Sequence, residues 1–313
     1  KTQKWPDNVE EHEVDPTEKD SVLEVSNGAT IGIIIPPVWS SLSAVNHMYT
    51  FGLTAQKRGA GKHLIKIGQF NSGGTEKPLV LKMHGWADAQ LRKSPIPYTI
   101  INPNVLMQDF YKFWGKSIRE KGEFYVLSKA TKVSFIDARD VASAVAIVSF
   151  DTEQHDTKEY NLTGPHALSY EEVAALLSKA LAKTVAAVEV PVDELKKKFA
   201  ESCPTAKDFV IGAWADLWTE ERDGGKAANV TNDFEQLVGR KPLSFATFAE
   251  DHKARFLGAF EDPNALVQDD LVIPSSATTS ASADQKPIDI NGTWEVDLAK
   301  SNKFEPFLEA VGV

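Results

Sequence analysis

Short runs of β-branched and aliphatic residues alternate with longer segments of helical periodicity between residue 9 and about residue 190. The run from Ile31 to Ile35 is continuously apolar, as a parallel strand covered on both faces requires. Strands that alternate with helices in this way form a parallel sheet with helices on each side. The sequence therefore predicts an α/β fold, a Rossmann-like doubly wound parallel sheet.

The individual elements follow from the period of the apolar residues. Strands are predicted at 9–14, 30–37, 63–70, 98–104 and 186–190, and helices at 17–27, 42–58, 78–93, 105–120, 138–150 and 169–182. Ser169 and Glu172 have the spacing of a capping box, which fixes one helix start. After Pro191 the strand patterns stop, and residues 191–258 are predicted to form a helical cap of the kind that often closes a substrate pocket.

Composition excludes several classes of function. The chain has 313 residues, 42% of them hydrophobic, and a net charge of -10. This charge gives no general attraction to nucleic acid, so no direct nucleic-acid partner is expected. No apolar run approaches the roughly 18 residues of a membrane span. The single cysteine, Cys203, is expected to be inert, and with no internal disulfide possible, the cytoplasm is the default location.

Two stretches imitate cofactor motifs. A dinucleotide turn needs a strand, a glycine-rich turn and a helix in that order. The stretch KRGAGKH at 57–63 follows a predicted helix and precedes a strand, which is the wrong order for phosphate binding. Tyr125 and Lys129 have the Tyr-x-x-x-Lys spacing of short-chain dehydrogenases, but their stretch reads as a strand, which places the side chains about 13 Å apart.

His84 is the candidate catalytic residue. It lies early in the predicted helix 78–93, close to the strand ends where ligands of such sheets bind. The alternative is a structural histidine satisfied by local hydrogen bonds. The other histidines show no spacing typical of zinc ligands, so no metal is predicted.

Five separated blocks resemble the NmrA-like, atypical short-chain dehydrogenase/reductase family. They begin with HEVDPTEKDSVLEVSNGATIGIIIPP and HGWADAQLRKSPIPYTIINPNVLMQDF, and continue with KVSFIDARDVASAVAIV, EYNLTGPHALSYEEVAALLSKAL and GRKPLSFATFAEDHKARF. The likeness runs in order from residue 9 to 258 and includes the cap. It implies one Rossmann domain over residues 1–258 that binds NADP or NAD.

The resemblance also implies site residues. His84 corresponds to a residue that touches the nicotinamide side, and Phe110 and Trp114 would face the substrate pocket. The implied cofactor contacts follow three strands: Asp15, Pro16, Ile35, Pro36, Pro37, Asn104, Val105, Leu106 and Met107.

The chain departs from the family pattern in three ways. The glycine-rich turn is missing, and the resemblance places a first βαβ unit upstream of Lys1, so that this unit is expected to be absent from the chain. Gly68 stands where short-chain dehydrogenases have a catalytic serine, and Asn102 stands where many members have arginine. These departures weaken the case for catalysis more than the case for the fold.

The C-terminal end resembles a second family. Residues 259–289 are predicted to be a linker, low in complexity over PSSATTSASADQKP. Residues 290–313, with Gly-Thr-Trp followed by an amphipathic helix, resemble the opening of a fatty-acid-binding protein, a short β-α tail. An apolar ligand would require a complete barrel, and we expect both ends of the chain to be cuts. The alternative is a tail that docks on the main domain.

Three functions are therefore open. The first is an NAD(P)H-dependent oxidoreductase that reduces a small carbonyl or quinone, with His84 orienting or protonating this small-molecule substrate. The second is a non-catalytic redox sensor or scaffold that binds a protein partner. The third is a lipid-binding protein that acts through the tail.

Overall fold

The computed structural model describes residue 12 and residues 19–26, 28–35, 63–73, 77–204, 206 and 208–258. Four of the implied cofactor contacts, Asp15, Pro16, Pro36 and Pro37, lie outside these residues. So do the predicted helix 42–58, the linker 259–289, the tail 290–313 and, apart from His12, the predicted strand 9–14.

Four parallel strands form the main sheet. They are β1 (Ile31–Ile34), β2 (His63–Ile67), β3 (Tyr98–Pro103) and β6 (Lys158–Leu162), hydrogen-bonded in the order β1-β2-β3-β6. Every side chain of β2 and β3 is buried, as the continuous apolar pattern predicts for strands covered on both faces.

Helices cover both faces of this sheet. On one face, α2 (Leu79–Arg92) packs Ala87 and Leu91 against Leu64 and Ile100. On the other, α4 (Ala138–Phe150) and α8 (Asp233–Val238) pack against Ile65, Ile67 and Ile101. Because alternate residues of one strand serve opposite helical layers, the doubly wound α/β architecture is confirmed.

A second core lies beyond the carboxyl end of β3. It joins α3 (Asp109–Lys121) and α5 (Tyr170–Leu181) to the short strands β4 (Glu123–Val126) and β8 (Ala186–Glu189), which pair in parallel. Strands β5 (Lys132–Val133) and β7 (Leu168–Ser169) pair antiparallel beside them. The Ser169–Glu172 capping box that the sequence predicted opens α5.

The region predicted as a cap is helical where the structure describes it. It contains α6 (Val192–Ser202), α7 (Asp208–Gly224), a 3-10 turn at Lys226–Ala228, α8, α9 (Phe245–Asp251) and α10 (Lys253–Phe256). A short helix, α1 (Lys19–Val25), precedes β1. None of the described helices is long and apolar enough to cross a membrane.

One predicted helix start was wrong, and one strand of the main sheet was not predicted. Helix α3 begins at Asp109 rather than at residue 105, because Leu106 forms a parallel bridge with Ile136 and the Met107 amide donates to the Ile136 carbonyl. Strand β6 was not predicted, since its sequence KEYNL lacks an apolar run. Tertiary pairing with β3, not local propensity, holds it in the sheet.

Candidate active site

The carboxyl ends of the parallel strands meet at one edge of the main sheet. Ile35 follows β1, Gly68 follows β2 and Asn104 follows β3 at this edge. Ligands of open α/β sheets bind in the crevice outside such strand ends. The structure therefore brings these three positions to the side of the sheet where a cofactor or substrate is expected.

The two described departures from the family pattern contact each other here. A Cβ atom added to Gly68 would lie 2.0 Å from Asn102 Oδ1. The Asn102 side chain is buried, and its Oδ1 has no hydrogen-bond partner within the described part of the chain. Asn102 thus fills the space that a side chain at position 68 would need, so Gly68 and Asn102 form one structural feature.

A buried ion pair connects α2 to strand β2, two residues before Gly68. Lys66 Nζ lies 2.7 Å from Asp88 Oδ1, and both side chains are almost completely buried. Ser72, in the loop after β2, donates a hydrogen bond to Asp88 Oδ2. Burial lowers the pKa of Lys66, while the Asp88 carboxylate opposes this shift. The pair therefore joins β2, α2 and the loop that forms the crevice.

His84 lies one helical turn before Asp88 on the buried face of α2. It is 2% exposed, and neither ring nitrogen has a hydrogen-bond partner in the described residues. Burial, and secondly the positive charge of Lys66, lower the pKa of His84 to about 3. The imidazole is consequently neutral at neutral pH and enclosed, so it cannot act as an imidazolium acid without movement of its surroundings.

The residues after β3 have separate roles. Asn104 Nδ2 donates to Ser134 Oγ at 2.8 Å and to the Ala227 carbonyl at 2.9 Å, which ties the strand end to the cap. Leu106 and Met107 pack into the protein core, and only the partly buried Val105 lines a cavity. The structure thus shows structural contacts for Asn104, Leu106 and Met107, and their predicted cofactor contacts stay predictions.

The cavity is lined by Val105 and by residues of α3, β4, α5, α6 and α7. The space between its lining atoms amounts to about 540 Å³, a figure that includes the open solvent at its mouth. Phe110 and Trp114, both predicted to face a substrate pocket, line it. Its walls are rich in aromatic rings: Phe110, Phe113, Trp114, Tyr125, Phe135, Tyr170, Trp214 and Trp218.

Two carboxyl groups face this aromatic cavity. Burial raises the pKa of Asp109 to about 7, and exposed Lys112 opposes the shift. Burial also raises the pKa of Glu221 to about 7, although Glu221 accepts a 2.9 Å hydrogen bond from the Tyr170 hydroxyl. Protein atoms surround both groups, yet each keeps partial solvent access through the cavity. Carboxyl groups tuned in this way inside a pocket are candidates for function.

The sequence analysis missed Asp109, Tyr170 and Glu221. A signal was present on the cap helix, because Trp214, Trp218 and Glu221 recur at the i, i+4 and i+7 spacing of one helical face. Tyr170 could not be found in this way, since only the packing of α5 against α7 brings it to Glu221.

Two other features of the sequence, the single cysteine and the Tyr-x-x-x-Lys spacing, also lie in the described residues. The Cys203 thiol is partly buried, and burial raises its pKa to about 11, so it remains protonated at neutral pH. The hydroxyl of Tyr125 donates to Glu123, whereas the backbone amide of Lys129 donates to Glu189. Within the described ranges, no group of three His, Cys, Asp or Glu side chains could hold a metal ion.

Comparison with known proteins identifies the family. A profile of the NmrA-like family matches residues 88–223. An NAD(P)H azoreductase of Xenophilus azovorans is 31% identical over 204 residues, which are 65% of this chain and 70% of that protein. The chain belongs to the NmrA-like family.

Further relatives of this NmrA-like chain also match it over most of its length. Agroclavine dehydrogenase of Claviceps fusiformis is 26% identical over 79% of the chain and 86% of its own length. Among solved structures, an NADPH-dependent quinone oxidoreductase from Escherichia coli, complexed with NADPH, superposes with a TM-score of 0.65 at 17% identity, over 76% of this chain and 81% of that one. This last likeness shows the fold alone. None of these proteins supports the fatty-acid-binding resemblance of the tail.

Proposed function

We propose that this protein is an NAD(P)H-dependent reductase of a small, flat organic acceptor such as a carbonyl compound or quinone. The observation that carries the proposal is the aromatic cavity, which is lined by Val105, the second residue after β3, at the strand end where ligands of such sheets bind. A substrate in the cavity would lie beside a nicotinamide bound at the strand ends.

The residues at the strand ends fit the nicotinamide end of such a cofactor. His84 and Asn102 Oδ1 are buried polar groups without hydrogen-bond partners among the described residues, and both are near the loop after β2. Buried polar groups normally have a hydrogen-bond partner. The amide group of a bound ligand would supply one to these side chains. A bound NAD(P)H supplies the hydride.

Proton supply is the task of the cavity carboxyls in this proposal. Reduction of a carbonyl or quinone oxygen requires a proton as well as a hydride. Glu221, with a pKa near 7, is partly protonated at neutral pH and is oriented by Tyr170. We assign Glu221 as the proton donor and His84 as a neutral positioning residue, because His84 is enclosed and uncharged.

The test is binding followed by turnover. The full chain is titrated with NADPH and NADH by nicotinamide fluorescence, and loss of reduced nicotinamide absorbance is then followed with menadione as acceptor. We expect binding of at least one nucleotide and turnover that falls as pH rises through about 7. The E221Q variant should lose about tenfold or more in kcat, while D216N, an exposed carboxylate on the same helix, should keep wild-type turnover.

A second candidate is a nucleotide-responsive sensor or scaffold without catalysis. The sealed, neutral His84 and the absence of a side chain at Gly68 favour it. Nucleotide binding without turnover of any acceptor would support this candidate, and a protein partner would then be sought. Binding of neither nucleotide would reject both. The lipid-binding function of residues 290–313 stays a prediction outside the described residues.

A further inference from the structure

The charge balance of the aromatic cavity is one-sided. The described residues that line it include two carboxyl groups, Asp109 and Glu221, and a single cation, Arg222. The Arg222 side chain is exposed, and its guanidinium forms a bidentate pair with Asp223 and not with either cavity carboxyl group. Among the described residues that line the cavity, no cation is therefore paired with either of the two carboxyl groups.

Asp109 differs from Glu221 in having no partner of its own. Glu221 accepts from Tyr170, whereas neither a hydrogen bond nor an ion pair reaches the Asp109 carboxyl within the described part of the chain. The neighbouring cation, Lys112, is exposed on the same helix and does not line the cavity. An enclosed carboxyl group that faces aromatic rings and lacks a partner provides a site for a ligand charge.

Aromatic faces and a carboxylate together recognise one class of ligand. The negative face of an aromatic ring attracts a cation, most strongly when both are shielded from water. Trp114, Trp214 and Trp218, the residue type that binds cations best, line the cavity as one cluster of neighbouring rings. We propose that the cavity binds organic cations, ligands that carry a positively charged nitrogen on a flat apolar body, with Asp109 as the counter-ion.

This inference rests on the proposed function, because it names the substrate class of the same cavity. The reducible group would be elsewhere on the molecule, beside the strand ends, while the cationic nitrogen is held near Asp109. Burial raises the pKa of Glu221, and the negative charge of ionised Asp109 adds to this shift, so ionisation of Asp109 favours the protonated form of Glu221.

The pH dependence has a definite sign. A cation binds the ionised form of Asp109, so affinity should increase as pH rises through about 7. The other groups around Asp109 are Tyr111 and Lys112 on its own helix, Tyr170 on α5, Cys203 after α6, and Glu221 and Arg222 on α7. Burial raises the pKa of Tyr170 well above its ordinary value and that of Cys203 to about 11, so neither ionises near pH 7.

The experiment compares two ligands of equal shape. N-methylquinolinium and uncharged methylnaphthalene are titrated calorimetrically into the full chain at pH 6 and pH 8, without nucleotide. We expect the cation to bind about tenfold more tightly at pH 8, and this advantage to shrink several-fold at pH 6. D109N should remove the preference at both pH values, whereas D216N should retain it. Melting curves of each variant confirm that it folds.

Several outcomes would overturn the proposal: equal affinity for the two ligands, binding of neither, or a cation preference that survives in D109N. The measurement contains no nucleotide, so its result is independent of the reductase test. A protein that binds the cation but does not oxidise NADPH would contradict the proposed function and leave the cation site intact.

Discussion

At the scale of single residues, the crevice is shaped by a glycine and an asparagine. Gly68 has no room for a side chain, because Asn102 occupies the space that a Cβ would fill. By family resemblance, Gly68 stands at the position where short-chain dehydrogenases have a catalytic serine. The structure shows instead that a serine at this position would require Asn102 to move.

The G68A variant should be destabilised by roughly 1–3 kcal/mol through overpacking. The double variant G68A/N102A should recover part of this loss, since it removes the clashing side chain. Gly212, within helix α7, offers a matched control because no atom lies within 4 Å of its added Cβ. G212A should be neutral or stabilising by up to about 1 kcal/mol. Urea unfolding measures each change, and a stable G68A would contradict the packing argument.

The buried His84 makes stability depend on pH. Its pKa is about 3 in the folded chain and 6.5 as the ordinary value, so the unfolded chain binds the proton first as pH falls. The stabilising contribution is complete above pH 6.5 and is lost progressively as pH falls toward 3. We expect a loss of roughly 1 kcal/mol per pH unit from this residue.

The H84M variant should therefore show a shallower decline of unfolding free energy between pH 6.5 and 4 than the wild type. H252F should flatten the decline similarly, because burial lowers the pKa of His252 to about 4. Parallel curves for all three proteins would show that these histidines are not neutral in the folded state.

At the scale of elements, the buried Lys66–Asp88 ion pair connects α2 to strand β2 of the sheet. Removal of one partner leaves a buried charge without compensation, which typically costs about 3–5 kcal/mol. K66M or D88L alone should therefore be strongly destabilising, while K66M/D88L should recover most of the loss. R92M, which breaks a mostly exposed pair with Glu159, is the control and should cost no more than about 1 kcal/mol. Additive losses in the double variant would contradict the coupling.

At the scale of the whole molecule, cap helices and Rossmann elements share one hydrophobic core. Phe199 of α6 stacks edge-on against Phe113 of α3, and its ring also contacts Trp114, Trp214 and Trp218. The walls of the cavity are thus built from both halves of the described chain. Cap and sheet are expected to unfold together, because neither completes this core alone.

The F199A variant should lose about 3–5 kcal/mol. Hydrogen exchange followed by mass spectrometry should then show lower protection in α6, α7, α3 and β4 together. Leu257, which is 44% exposed, provides a control in L257A, where protection should stay unchanged. Loss confined to α6 and α7 would mean that the cap opens independently of the sheet.

Local sequence patterns predicted much of the α/β architecture. Continuous apolar strands, helical periodicity and a capping box fixed the doubly wound sheet, the start of α5 and the helical cap, because these features depend on neighbours in sequence. Family resemblance predicted that Phe110 and Trp114 would face a substrate pocket; both line the aromatic cavity, and their role there stays a prediction.

The pKa values of the groups in the candidate site depend on tertiary packing. Burial makes His84 neutral and raises the pKa values of Asp109 and Glu221, and burial depends on what packs around a side chain, not on its neighbours along the chain. Likewise, β6 and the Tyr170–Glu221 contact arise from segments far apart in sequence. Local sequence patterns therefore predict the helices and strands. Long-range packing determines which side chains are able to bind a ligand or hold a proton.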